Sequence, residues 1–379
     1  MIFKNKIIVL VIFCITGLVG CSSPEIAEIN IGFIAPLTTR AIDLGIAPSQ
    51  AMKLAVEQYN STKTKEQPKV NLFVEDGKWE KALAIPAYEK LRKEHNIDIL
   101  FISNSDGTVA IQDHIEKDGV IAINPLNNDK LLSSLNKNTF QIAKSTEESN
   151  KVVGVRIIEL GLKKVLILQY PNHFMQIAAN SVKDILTENG VDNKIVIFGK
   201  DQTNFEDILR SAKDDGTDAY AFFGYKELGF AMKQAREMGI KAPFYGPPVL
   251  LDPAFYKNSE GAIIGTECAF FTPLDGNYIL ANEFLESYEK RFGEKPMSIW
   301  PPMQAYDAVN IILNELKTYN ETKTDEIAFG EWLKERLNNV RYFQGVCGNI
   351  SITEDGSSRG IYFSLYKMES EGKLVKLKR

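Results

Sequence analysis

From residue 29 onward the chain alternates short apolar, β-branched runs with longer amphipathic stretches, and it does so twice over. Residues 29–35, 70–74, 97–102 and 120–123 read as strands, separated by helical stretches at 48–60, 80–94 and 108–117. In the first of these helices Met52, Ala55, Val56 and Tyr59 share one face. The run at 97–102 is almost wholly apolar, as expected of a strand covered on both faces of a parallel sheet. The rhythm then restarts with helix 147–161 and strand 165–168, followed by helix 175–188 and strand 195–198. Helix 204–214, strand 219–223 and helix 226–239 complete it, the last with Leu228, Ala231, Met232, Ala235 and Met238 on one side. Parallel strands need a crossover of a dozen or more residues, usually a helix, so this spacing predicts βαβ units. Two such runs predict an α/β chain with two doubly wound, Rossmann-like lobes. A length of 379 residues accommodates both with full cores.

The later part breaks the pattern. Residues 278–292, 303–317 and 325–338 read as successive helices. Short strands follow at 350–352, 361–368 and 374–377, joined by the turn segments Glu354-Asp355-Gly356 and Glu371-Gly372. A chain that builds two αβ domains, returns to helices and ends in β structure argues for domains discontinuous in sequence.

The first residues predict where the protein resides. Lys4 and Lys6 precede an apolar stretch that begins at residues 7–13, and Leu18-Val19-Gly20-Cys21 closes the segment. That order is a secretory signal peptide, too short for a membrane span. The closing residues fit the bacterial lipobox, so residues 1–20 are expected to be removed. Cys21 then carries lipid at the head of a tether running over 21–28. Acyl chains contribute roughly 0.8 kcal/mol per buried CH₂, enough in combination to hold a soluble body at a bilayer. The expected location is the bacterial cell envelope, lipid-anchored, on either the periplasmic or the cell-surface face.

Charge and chemistry narrow the function. The chain carries 44 basic and 49 acidic side chains, a balance that gives no support to a nucleic-acid partner. His95, His114 and His173 are scattered without Cys or His at ligand spacing, so no metal is expected. No GxGxxG follows a strand, and GxxxxGK[ST], HExxH and GxSxG are missing from the sequence. Asp76 and Asp106 follow strands, yet each precedes glycine, which is turn chemistry. With no catalytic residues and no cofactor motif, the chain reads as a binder rather than an enzyme. Its ligand is expected outside the carboxyl ends of the strands.

Several stretches together resemble the type I periplasmic solute-binding proteins, nearest the leucine/isoleucine/valine-binding group of ABC importers. They are INIGFIAPLTTRAIDLG with the SQAMKLAVEQYN helix, VNLFVEDGKWEKALAIPAYEKL, AMKQAREMGIKAPFYGPP, FGEKPMSIWPPMQAYDAVNIIL and FQGVCGNISITEDGSSRGIYFSLYKMESEGKLVKL. The resemblance covers nearly all of the mature chain, and order and spacing make it specific. It implies two lobes joined by three crossovers, with lobe one at 29–143 plus 273–343 and lobe two at 144–272 plus 344–379. Cys268 and Cys347 then fall just beyond the second and third crossovers, on one lobe, as a candidate disulfide pair whose pairing the sequence leaves open.

The resemblance also implies a site. Leu44 stands where the nearest group has tryptophan, and Asn104, Ser105 and Asp106 lie in the loop that bonds a ligand carboxylate. Leu126, Asn127 and Asn128 replace a segment whose threonine anchors the amino acid. From lobe two, Phe174 occupies the place of a ligand-facing tyrosine and Tyr225 lies in an aromatic loop. Pro248 departs from the pattern, because the family places there the acid that pairs with the substrate ammonium. Asp43, Asp106 and Asp252 are the candidate replacements. The expected protein is a solute-binding lipoprotein that captures an amino acid, or an amide-like compound, and delivers it to an ABC permease in the membrane. The competing expectation is a cell-envelope regulatory or scaffolding lipoprotein of the same fold.

Overall fold

The computed structural model describes residues 28–39, 41–271 and 278–377; the expected signal peptide, Cys21 and nearly all of the tether lie outside them. The first five strands are β1 (Glu28–Ala35), β2 (Lys69–Asp76), β3 (Ile99–Ile102), β4 (Ile121–Asn124) and β5 (Thr139–Gln141). They form one parallel sheet in the order β2-β1-β3-β4-β5. The next five are β6 (Lys164–Gln169), β7 (Asp192–Ile197), β8 (Ala219–Phe223), β9 (Phe244–Gly246) and β10 (Glu267–Phe271). A small sheet holds β11 (Phe343–Gln344), β12 (Gly348–Ile352) and β13 (Ser358–Ile361). The last strands, β14 (Phe363–Ser370) and β15 (Lys373–Lys376), extend the second large sheet to the order β15-β14-β10-β9-β8-β6-β7. There β14 runs antiparallel to β10, closing an otherwise parallel edge. These are two doubly wound α/β lobes of the periplasmic-binding-protein type I fold.

The period-two alternation of the strands sorts their side chains to the two faces of the first sheet. Ile31, Phe33, Ile99, Phe101, Ile121 and Ile123 join the large core, while Ile34, Leu100, Ile102 and Ala122 join a second cluster with Tyr88 and Leu91. All four residues of β3 are buried, as the apolar run predicts. The return to helices late in the chain has a structural reason. Helices Ile279–Phe292 and Trp300–Leu316 pack on helix Ile46–Thr62 beside the first sheet. A bidentate Arg291–Glu57 pair at 2.7 and 2.8 Å and a 2.6 Å bond from Tyr306 to Gln58 hold them there. The tail divides: only residues 363–376 join the seven-stranded sheet, whereas Ser357 bridges to Gln141 of β5.

The chain therefore passes between lobes after β5, after β10 and ahead of β14. Buried polar groups fasten these passages. Ala143 exchanges hydrogen bonds with the Ser358 hydroxyl at 3.0 and 2.8 Å, and Gln304 accepts from the Lys144 amide at 2.6 Å. Asp307, from helix Trp300–Leu316, accepts from the amides of Val346 and Cys347, both at 2.7 Å. The Tyr278 hydroxyl donates to the Gly345 carbonyl at 2.7 Å.

Candidate functional site

In each large sheet the strand order reverses direction once, between β1 and β3 and between β6 and β8. Those reversals are where doubly wound sheets place ligands. The loop after β1 and the loop after β8 face each other here and enclose a cavity of about 250 Å³. Asp43, Leu44, Trp79 and Trp300 line it from the first lobe; Tyr225, Glu227, Pro248 and Asp252 line it from the second. A roomier hollow of about 430 Å³ beside Tyr306 and Phe343 has no lining residue from the seven-stranded sheet. The interlobe cavity is the candidate site because both reversals feed it.

Local chemistry fixes its walls. Asp76, at the end of β2, accepts from the amides of Leu37 and Lys78 and from the Thr38 hydroxyl. Burial opposes its ionisation, but these donors hold its carboxyl below the ordinary range. One carboxylate thereby ties the loop after β1 to the loop after β2, and the turn reading of Asp76 holds. Lys78 and Trp79 sit in the left-handed region at φ 49° and 58°, which costs a side-chain-bearing residue on the order of 1–2 kcal/mol. The Asn104 amide donates to the Trp79 carbonyl at 2.9 Å and helps to hold that turn. Across the cavity, the Tyr225 hydroxyl accepts from Asn172 at 2.9 Å. Its ring meets Tyr170 edge to face at 5.0 Å. Both aromatic walls are thus set before any ligand arrives.

Among the described residues the wall carries Asp43, Glu227, Asp252 and Lys226. Burial, and then the carboxylate of Asp252 opposite, push the Asp43 pKa up to about 6. Glu227 is 8% exposed, whereas Lys226, which also lines the cavity, is exposed at its rim. Beyond the cavity the lobes touch between helices Ser105–Ala110 and His173–Glu188. There His173 reaches the buried Asp129 at 3.5 Å, and that carboxylate, followed by Asp106 and Glu147, raises the imidazole pKa.

Of the residues singled out in the sequence, Leu44, Tyr225 and Pro248 come together on the cavity, joined by Asp43 and Asp252. The others lie elsewhere. Asn104 caps the helix Ser105–Ala110, accepting from the Gly107 amide at 3.1 Å. Ser105 is 5% exposed and its hydroxyl has no protein partner, while Asp106 is exposed. Leu126 is in the core, and Phe174 is half-buried against it. Asn127 donates to the Ser103 carbonyl at 2.8 Å. Asn128, 4% exposed, donates to the carbonyls of Ala143 and Ser358 at 3.1 and 2.8 Å. It braces the passage between lobes instead of facing the cavity, because two buried carbonyls there need a donor. Sequence reasoning missed Trp79, Trp300 and Glu227. The two tryptophans were visible inside the quoted stretches EDGKWEKA and MSIWPPMQ, but no periodicity separates a wall residue from a core one.

The candidate disulfide is not formed. Cys268 and Cys347 are both buried free thiols. Cys268 lies within β10, where burial, and then Glu267, push its thiol up to about 12. The Cys347 thiol is likewise raised, first by burial and then by Asp307. Both are small buried side chains without thiolate character.

A two-lobed, doubly wound body with a ligand-sized cavity at its facing switch points defines the solute-binding class. This chain belongs to the periplasmic binding protein family, whose profile matches residues 28–372. A leucine-, isoleucine-, valine-, threonine- and alanine-binding protein from Pseudomonas aeruginosa is 21% identical over 378 residues, spanning 97% of each chain. A crystal structure of a leucine-binding protein from Thermotoga maritima superposes with a TM-score of 0.80 at 20% identity, covering 92% of this chain and 98% of that one. A solute-binding protein of an R. palustris ABC transporter, solved with benzoate, gives a TM-score of 0.77 at 18% identity, covering 93% and 96%. Membership in this exported family makes the chain a binder and not an enzyme. The partners of similar fold take both amino acids and an aromatic acid, so fold alone does not name the solute.

Proposed function

We propose that this chain is the lipid-anchored solute receptor of an ABC importer, which closes its lobes on a small polar ligand, amino-acid-like or amide-like, and presents it to the permease. The observation that carries this reading is the cavity between the two switch points, walled by both lobes. A ligand touching both walls binds the closed arrangement better than an open one, and that difference drives closure. Leu44, Tyr225 and Pro248 supply contacts.

The test is a thermal-shift screen of the mature protein against amino acids, amides, short peptides and small carboxylates. A ligand at 100 times its dissociation constant adds roughly 2.7 kcal/mol of stability. Tyr225→Ala and Leu44→Ala are expected to shrink that increment, and an unchanged increment in both variants removes the cleft assignment. The anchor has its own test. Cys21→Ser, expressed from the full chain in a lipoprotein-processing bacterium, is expected to leave the membrane fraction and lose its acyl mass. An acyl mass missing from the parent protein, or unchanged in the variant, would refute lipidation at this residue.

A further inference from the structure

An ion pair crosses between the lobes away from the cavity wall. His173 opens the helix His173–Glu188 of the second lobe, and its Nε2 lies 3.5 Å from Oδ1 of Asp129, which follows β4 in the first. The Asp129 side chain is buried, whereas the imidazole is 18% exposed, so solvent protons reach the ring. Oδ1 also caps the short helix Lys130–Ser133, accepting from the Leu132 amide at 3.0 Å. Oδ2 has no protein partner, and among the described residues His173 is the cation paired with this carboxylate. A carboxylate so placed needs a counter-charge once closing lobes expel water from it.

The charges around the ring change with lobe separation. Asp129, and Asp106 in the helix Ser105–Ala110, belong to the first lobe; Glu147, at the start of the helix Thr146–Glu159, belongs to the second. Parting the lobes therefore removes two of these three carboxylates and leaves Glu147. In the closed arrangement the Asp129 contact raises the imidazole pKa above 6.5, with the charges of Asp129, Asp106 and Glu147 adding to it. Burial and the positive end of the ring's own helix act in the opposite direction and are outweighed. We propose that His173 and Asp129 form a proton-operated latch, in which the imidazolium bonds Asp129 across the lobes, favours closure and tightens the hold on the solute. The hold on solute rests on the receptor function proposed above; the latch itself acts on the lobes alone. The closed state binds the proton more tightly than the open one. Its stabilisation is complete in acid, below the ordinary value of 6.5, and is lost as pH rises through the raised value.

The experiment follows the closed-to-open ratio of the unliganded mature protein by small-angle scattering between about pH 6 and about pH 9. Asp43, pushed up to about 6 by burial and then Asp252, and Asp307, pushed up to about 7 by burial, titrate in the same range. The latch is therefore read as the difference between the parent and His173→Gln, which keeps a neutral donor and carries no charge. At about pH 6 the parent's ratio is expected to exceed the variant's by roughly fivefold, and near pH 9 the two converge. Proton resonance supplies a second readout. The chain has three histidines, so the His173 ring signal is identified by its loss from the spectrum of His173→Gln. It is expected to titrate higher in the parent than in Asp129→Asn, where asparagine keeps the helix cap. The unliganded Tm verifies that both variants fold. Equal ratios for the parent and His173→Gln at every pH, or an unmoved His173 titration in Asp129→Asn, overturn the latch and leave the solute-binding reading standing. The solute screen decides that reading separately.

Discussion

Asp307→Ala is expected to lower unfolding free energy by roughly 2–5 kcal/mol, the sum expected for two buried amides each losing its acceptor. Asp307 is 1% exposed, and its two oxygens are the acceptors for the Val346 and Cys347 amides. The space is already tight, since a Cβ on Gly345 would lie 2.5 Å from Asp307 Oδ2. Urea denaturation reads the loss directly, and a variant with the wild-type midpoint would show that this carboxylate bears no part of the hinge. The pH dependence has a definite sign. Burial pushes the Asp307 pKa up to about 7, against the pull of the two amides, from a model-peptide value of 3.8. The folded state thus holds the proton more tightly than the unfolded chain does. The stabilisation from protonated Asp307 is complete below pH 3.8 and is lost as pH rises through about 7. Measured against Asp307→Asn, which cannot titrate, the wild-type advantage is expected to shrink steadily between pH 5 and 8.

Gly45→Ala is expected to be damaging for a different reason. Glycine is favoured over alanine at this N-cap of the helix Ile46–Thr62, although at φ −123° the backbone itself admits either. The added methyl would nevertheless sit 1.8 Å from the Pro36 carbonyl oxygen, a backbone atom with no rotamer to relax into. The loop 36–45 must move as a whole. Overpacking of this kind costs about 1–3 kcal/mol, occasionally more. Because Asp43 and Leu44 ride on that loop, ligand stabilisation is expected to disappear along with the lost stability. Paired melting curves with and without a binding probe separate the two effects. A variant that melts and binds as the parent does would show that the loop yields freely.

Much of the fold was legible because alternation of strand and helix carries its own period. The strands at 29–35, 70–74 and 219–223 lie within two residues of the observed β1, β2 and β8 at each end. The reading missed β5, β9 and the helix Pro253–Ser259, elements of three, three and seven residues, too short to display a period. It also merged two helices, Ser105–Ala110 and Gln112–Asp118, which Ile111 separates at φ −92° and ψ 1°. The site was half legible. The family resemblance, not any pattern of spacing, singled out Leu44 and Tyr225, and both lie on the cavity wall. Whether an asparagine faces a ligand or a neighbouring carbonyl depends on distant chain, as Asn128 shows through its bond to Ser358. Trp79 escaped for a related reason: a left-handed turn aims it at the opposite lobe, and no composition rule marks tryptophan for that conformation.

The return of Ile279–Phe292 and Trp300–Leu316 to the first lobe sets an order of events at birth. A chain emerging from its amino end exposes the apolar flank of Ile46–Thr62 until the segment past residue 316 has been released. The amino-terminal half must therefore wait, unfinished, while the middle of the polypeptide condenses ahead of it. Truncation shortly before Trp300 would leave that flank bare and is the vectorial stage at which a nascent molecule of this kind is most prone to aggregate.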